Sequence, residues 1–256
     1  MTKRGERMSL SEVFVSEVFG TGMLTLLGVG VVANVLLGKT KGKGIGGNWM
    51  LISMGWGLAV MAGVFAAYKS GAHLNPAVTF GIMSSGADTY GGAADVDVDV
   101  ASTLVYLAGE LTGAFIGAVL AWAAYKQHYD DPEADSATKL GTFSTGPEIR
   151  NYGWNLITEI IATFVLVYII LSLTAGGSPA ELGGLYVALL VVAIGASLGG
   201  PTGYAINPAR DLGPRVAHFV VPFKGKGRSD WAYSWVPIVG PIVGGVIAGL
   251  VSQVTF

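Results

Sequence analysis

Six long apolar runs divide the chain, and none carries more than two charges. Leu10 to Leu37 holds only Glu12 and Glu17, Ala101 to Tyr125 only Glu110, and Trp154 to Ala175 only Glu159. Trp49 to Tyr68, Leu182 to Ala209 and Ala232 to Phe256 hold none. A helix needs about 20 apolar residues to cross a bilayer, so six transmembrane helices are predicted in an all-α membrane protein. Two segments interrupt this pattern, Asn75-Pro76-Ala77 and Asn207-Pro208-Ala209. Asn is a favoured helix N-cap, and Pro suits the first helical position, where its missing N–H costs nothing. Each segment therefore starts a half-helix, over 76–84 and 208–219. Both begin at membrane depth, so positive dipole ends and free N–H groups point into the interior.

The halves repeat. Asn75 and Asn207 lie 132 positions apart, Glu17 with Thr21 recurs as Glu159 with Thr163 at 142, and Gly109 with Gly113 recurs as Gly240 with Gly244 at 131. Three spans in each half force the second half in from the opposite side of the membrane. Such an inverted repeat carries its binding region at the midplane. One polytopic domain over 1–256 is expected, with halves at roughly 9–126 and 151–256 and an acidic connecting loop over 127–150.

This topology implies a selective barrier. Two positive helix ends facing one point repel cations, and Arg210 adds a full charge. The unwound stretches before each Asn, Gly71-Ala72-His73-Leu74 and Gly203-Tyr204-Ala205-Ile206, leave their carbonyls free of helical bonds. Irregular backbone is tolerated at this depth where it lines an aqueous cavity. These carbonyls would form a ladder of acceptors, with the Asn75 and Asn207 amides as donors, for a neutral molecule that both donates and accepts.

Composition narrows the alternatives. The chain is 52% hydrophobic and 12% charged, with mean hydropathy +0.57, against about 25% charge in soluble domains. A net charge of −2 gives no reason to expect nucleic acid, and zero cysteines exclude disulfide and thiolate-metal sites. The first apolar run reads as a span and not as a cleavable signal. Nothing pairs a nucleophile with a base, cradles phosphate or gathers metal ligands, so neither enzyme activity nor a cofactor is expected.

The two Asn-Pro-Ala segments, in matching frames of an inverted repeat, resemble those of the aquaporin, or major intrinsic protein, family, and in particular its bacterial glycerol facilitators. The resemblance covers essentially the whole chain. It implies six tilted helices and two half-helices per protomer, a pore in each protomer, and a homotetramer. Glycerol facilitators constrict the pore with a Trp, a Gly, an aromatic and an Arg, which Trp56, Gly195, Tyr204 and Arg210 match. Water channels place a His where Gly195 stands. Five subfamily positions, Trp122, Asp211, Arg215, Pro237 and Ile238, also resemble the polyol type.

Glycerol suits such a filter. Two angled aromatic faces would hold its CH edge, each buried CH₂ recovering about 0.8 kcal/mol, while Arg210 and the carbonyls bond its hydroxyls. The resemblance makes Glu17 and Glu159 buried supports that orient the carbonyl ladder. Tyr204 stands where relatives often carry Phe, and its hydroxyl is expected to add a polar group and narrow the opening. The interval from Trp56 to Asn75 is one residue shorter than in relatives, which bears on the bend at Tyr68-Lys69-Ser70. Glu110 replaces the usual Gln; it is read as a protonated mimic of it, against a functional, titrating group in mid-membrane. His73 is read as a buried His bonding local backbone, against a gating or proton-relay role.

Lys3, Arg4 and Arg7 favour a cytoplasmic N-terminus; Lys39, Lys41 and Lys43 outside, with Asp95, Asp97 and Asp99 inside, run against that rule. The resemblance implies two cytoplasmic termini in the cell membrane. Passive conduction of glycerol, other small neutral solutes and water is the expected function. A mainly water-selective pore, or a secondary transporter using the same inverted repeat, is the alternative.

Overall fold

The computed structural model describes residues 8–44, 48–91, 95–177 and 182–256. Lys3, Arg4 and Arg7, on which the charge argument for orientation rests, lie outside them. The first half runs α1 (Leu10–Leu36), α2 (Asn48–Ala66), a single 3-10 turn (Tyr68–Ser70), α3 (Pro76–Ser84) and α4 (Val100–Ala124). Short helices α5 (Lys126–Tyr129) and α6 (Ser136–Phe143) follow. The second half runs α7 (Tyr152–Ala175), α8 (Gly183–Leu198), α9 (Pro208–Val220) and α10 (Val236–Thr255).

Among the described residues five helices, of 19 to 27 residues, are long and apolar enough to cross a bilayer. The sixth expected span, α8, has 16 residues, about 24 Å at 1.5 Å per residue. Its helix stops before Gly199-Gly200-Pro201, where Pro disfavours helical geometry in the residue it follows. Irregular chain then carries the segment on to Asn207. Local chemistry starts the other helices. Ser9 and Glu12 form a capping box on α1, Asp99 caps α4, and Asn151 caps α7.

Small residues let the spans pack closely, and the two halves use them alike. A Cβ on Gly113 would stand 2.4 Å from Val18 O, and one on Gly244 would stand 2.4 Å from Ile160 O. Gly109 faces Glu17 as Gly240 faces Glu159. These are the repeats at 131 and 142 positions, now seen as matching α1–α4 and α7–α10 seams. Each half-helix crosses to the other half: α3 packs on α10 and α9 on α4. The outward face is apolar, with Phe19, Leu104, Leu189 and Leu250 each more than half exposed.

The first and last described segments lie on one side. Met8 packs with Tyr90 and Val96 of the α3–α4 connection, and Gln253 Nε2 donates to Ser84 O at 2.7 Å. At the opposite end, Lys39 Nζ lies 3.0 Å from Asp131, holding that carboxyl below the usual carboxylate range. The α1–α2 and α4–α7 connections therefore meet there.

Candidate functional site

The half-helices meet end to end. Asn75 caps α3 by accepting Ala77 N–H at 2.9 Å, and Asn207 caps α9 by accepting Ala209 N–H at 2.9 Å and Arg210 N–H at 3.1 Å. Each Asn then donates across the junction. Asn75 Nδ2 reaches Ile206 O at 2.8 Å and Asn207 Nδ2 reaches Leu74 O at 2.7 Å. An amide carries two N–H groups, so each Asn keeps one for another acceptor. Both side chains line the main cavity, while Pro76, Ala77, Pro208 and Ala209 are buried in the helix ends.

The chain before each Asn follows the same unusual path twice. Gly71, Ala72 and Leu74 have φ of 91°, 54° and 57°; Gly203, Tyr204 and Ile206 have 80°, 39° and 45°. Left-handed geometry costs an L-residue about 1–2 kcal/mol, so something must hold these four non-glycine residues in place. Glu17 and Glu159 do. Glu17 accepts His73 N–H at 3.1 Å, Leu74 N–H at 2.8 Å and the Ser70 hydroxyl at 2.6 Å. Glu159 accepts Ala205 N–H at 3.0 Å, Ile206 N–H at 2.9 Å and the Thr202 hydroxyl at 2.7 Å. Ser70 and Thr202 each stand five residues before their Asn. The matched bonding is thus intact despite the short interval after Trp56, which the 3-10 turn closes.

A cavity of about 860 Å³ opens beside Tyr68, Gln253 and Phe256, passes both Asn side chains and reaches Trp56, Tyr204 and Arg210. All of the unwound residues named above line it except Gly203. The Arg210 guanidinium lies 3.7 Å above the Trp56 ring and donates to Phe143 O at 3.2 Å. Arg210 therefore covers one face of the Trp56 ring. Gly195 does not line the cavity. Its bare position is filled by the Tyr204 ring and Ser53, 2.9 and 2.8 Å from where a Cβ would stand. The Tyr204 hydroxyl is buried there, so it does not narrow the opening as its chemistry alone suggested.

The family model described as Major intrinsic protein matches residues 5–252. This chain belongs to the major intrinsic protein family. It is 48% identical over 227 residues to glycerol uptake facilitator protein 3 of Lactiplantibacillus plantarum, covering 88% of this chain and 89% of that one. It is also 48% identical over 232 residues to a probable glycerol uptake facilitator protein of Thermotoga maritima, covering 89% and 92%. The solved aquaglyceroporin of Plasmodium falciparum superposes with a TM-score of 0.80 at 31% identity, covering 94% of each chain.

Within this member of the family, the five subfamily positions sit away from the cavity. Asp211 and Arg215 form a fully buried ion pair at 2.8 Å. Asp211 also accepts Thr145 N–H, and Arg215 donates to Thr145 O and Ser229 O. They fasten two loops over α9, which keeps Phe143 O in reach of Arg210. Trp122 packs in the cluster around α1 and α4, and Pro237 and Ile238 open α10. Three contributors carry no signal in the sequence. Phe143 acts through a backbone carbonyl, Ser53 through a fold contact, and Gly28 by leaving room for Trp56, whose ring carbon would lie 2.1 Å from a Cβ there.

Glu110 and His73 meet through one hydroxyl. Thr79 Oγ1 lies 2.7 Å from Glu110 Oε1 and 2.9 Å from His73 Nδ1, while His73 Nε2 sits 3.2 Å from Tyr90 O. A carbonyl only accepts, so Nε2 carries hydrogen and a neutral ring accepts at Nδ1. The single Thr79 hydrogen then satisfies both neighbours only if Glu110 brings a hydrogen of its own, as a Gln amide would. Glu110 Oε2 is buried without a partner, a costly setting for a charge. Glu110→Gln is therefore expected to leave glycerol flux, and its profile between about pH 5 and 8, unaltered in proteoliposomes. A pH step present in the parent and lost in the variant would refute the mimic.

Proposed function

We propose that this chain is a passive channel carrying glycerol and other small neutral solutes, with water, down their gradients across the membrane. The reciprocal bonding of Asn75 and Asn207 is the observation that carries this reading. It joins two positive helix ends at one point of a cavity whose other wall is backbone carbonyls. A hydroxylated solute exchanges its bonds to water for bonds to those carbonyls and to the spare Asn N–H groups. Cations are repelled by both helix ends and by Arg210. At the constriction formed by Trp56, Gly195, Tyr204 and Arg210, hydroxyls meet the guanidinium and the CH edge meets the Tyr204 ring. Passage loosens the Arg210–Trp56 stack, which at about 0.5–2 kcal/mol is weak enough to yield.

The exposed apolar belt supports placement in a lipid bilayer, and the shared side of Met8 and Gln253 supports a common side for both ends of the bundle, which the resemblance to glycerol facilitators makes the cytoplasmic one. A homotetramer in the cell membrane accords with the resemblance to glycerol facilitators. Reconstituted in proteoliposomes, the protein is expected to conduct glycerol in proportion to its gradient, without saturation and without response to proton or sodium gradients. Stopped-flow light scattering measures this. Accumulation of glycerol against its gradient under an imposed pH difference would replace the channel by a coupled transporter.

A further inference from the structure

Ser53 and Tyr204 carry two buried hydroxyls beside the constriction, and neither has a partner of ordinary hydrogen-bond geometry. They meet over Gly195. Ser53 Oγ lies 2.8 Å, and the hydroxyl-bearing Tyr204 Cζ 2.9 Å, from the position a Cβ would take on that glycine. A helical Ser often bonds the carbonyl four residues back, yet Ser53 Oγ makes no such bond. The Tyr204 ring is fixed from the other side. Trp49 meets it edge-on at 5.7 Å and donates to Gly195 O at 2.9 Å, and a Cβ on Gly199 would stand 2.5 Å from ring carbon Cδ1. The ring thus lies along α8 with its polar tip directed at α2.

We propose that Ser53 is a positioning residue of the constriction, retaining the Tyr204 hydroxyl on the α2–α8 seam so that the cavity meets the apolar ring alone. The proposal rests on the reading of Tyr204 as part of that constriction. Each hydroxyl is both donor and acceptor, so a small rotation lets one donate to the other. Without Ser53 Oγ the tyrosine hydroxyl finds partners only toward the cavity, in water or solute. Turning there narrows the opening and puts a polar group where a CH edge must pass. Glycerol is then penalised more than water.

The test compares glycerol and water fluxes through purified variants in proteoliposomes, each normalised to incorporated protein. Ser53→Ala is expected to lower the glycerol-to-water ratio roughly threefold to tenfold, the scale of one lost hydrogen bond. In a Tyr204→Phe background the same substitution is expected to move the ratio no further. Should Ser53→Ala fail to insert, Ser53→Cys keeps the side-chain shape with a somewhat larger atom, bonds weakly and carries the same expectation. An unchanged ratio, or an equal drop with and without the tyrosine hydroxyl, overturns the proposal. Gly195→His separates the two failures. If it shifts the ratio while Ser53→Ala does not, the constriction stands and the hydroxyl pairing falls; if neither shifts it, the constriction itself is misassigned.

Discussion

Gly195→His is expected to cut glycerol flux at least tenfold while water flux falls far less. The first atom of any side chain at 195 lands 2.8 Å from Ser53 Oγ and 2.9 Å from Tyr204 Cζ, closer than packed atoms tolerate. The helix backbone and Trp49 hold their positions, so the Tyr204 ring must give way. Its free direction is the cavity. Overpacking of this kind forces side chains off their positions at about 1–3 kcal/mol of stability, and the ring displaced into the route needs to raise the glycerol barrier by only about 1.4 kcal/mol for a tenfold loss, before the imidazole is considered. The imidazole adds a polar group where a CH edge has to pass. Gly195→Ala is expected to fall between parent and His variant. A glycerol-to-water ratio that stays at the parent value in Gly195→His would show that Tyr204 does not border the route.

The half-helices were legible to within a residue because their starts are local chemistry. Asn as cap and Pro at the first turn place α3 at Pro76–Ser84 as expected, and α9 ends at Val220, one residue beyond expectation. The Glu17 and Glu159 pair was legible as a repeat, and its bonding to matched backbone N–H groups follows from the symmetry of the halves. Other features depend on contacts between distant segments. The connecting loop over 127–150 reads as acidic and irregular, yet Asp135 caps α6 by accepting Thr138 N–H at 2.8 Å. Eight residues are too few for a helical period to stand out. The C-terminal carbonyl of that helix then holds Arg210, and a carbonyl has no letter in a sequence. The Tyr204 hydroxyl was misjudged for the same reason, since its direction is set by Ser53 and two glycines from other segments.

Arg210→Ala is expected to act in the opposite sense on polyol flux and to open a leak for protons or small cations. Among the described residues no carboxylate forms an ion pair with Arg210, because neighbouring Asp211 is engaged with Arg215 and Thr145. The guanidinium therefore keeps a positive charge facing the cavity, stacked on the Trp56 ring and bonded to Phe143 O. A unit charge about 4 Å from a cation costs it about 4 kcal/mol at an effective dielectric constant near 20. At about 1.4 kcal/mol per tenfold, removing that repulsion raises cation entry by up to roughly a thousandfold. Two helix ends remain, each near half a charge, so the barrier is lowered and not abolished. Truncation also leaves Trp56 uncovered and the opening wider, so glycerol flux is expected to hold or rise. A pH-sensitive dye inside proteoliposomes under an imposed membrane potential reports the leak. Arg210→Lys keeps the charge but loses the planar stack on Trp56, and is expected to stay proton-tight while its solute preference shifts. If Arg210→Ala conducts water yet admits no protons, the helix ends alone exclude cations and Arg210 acts on solute shape.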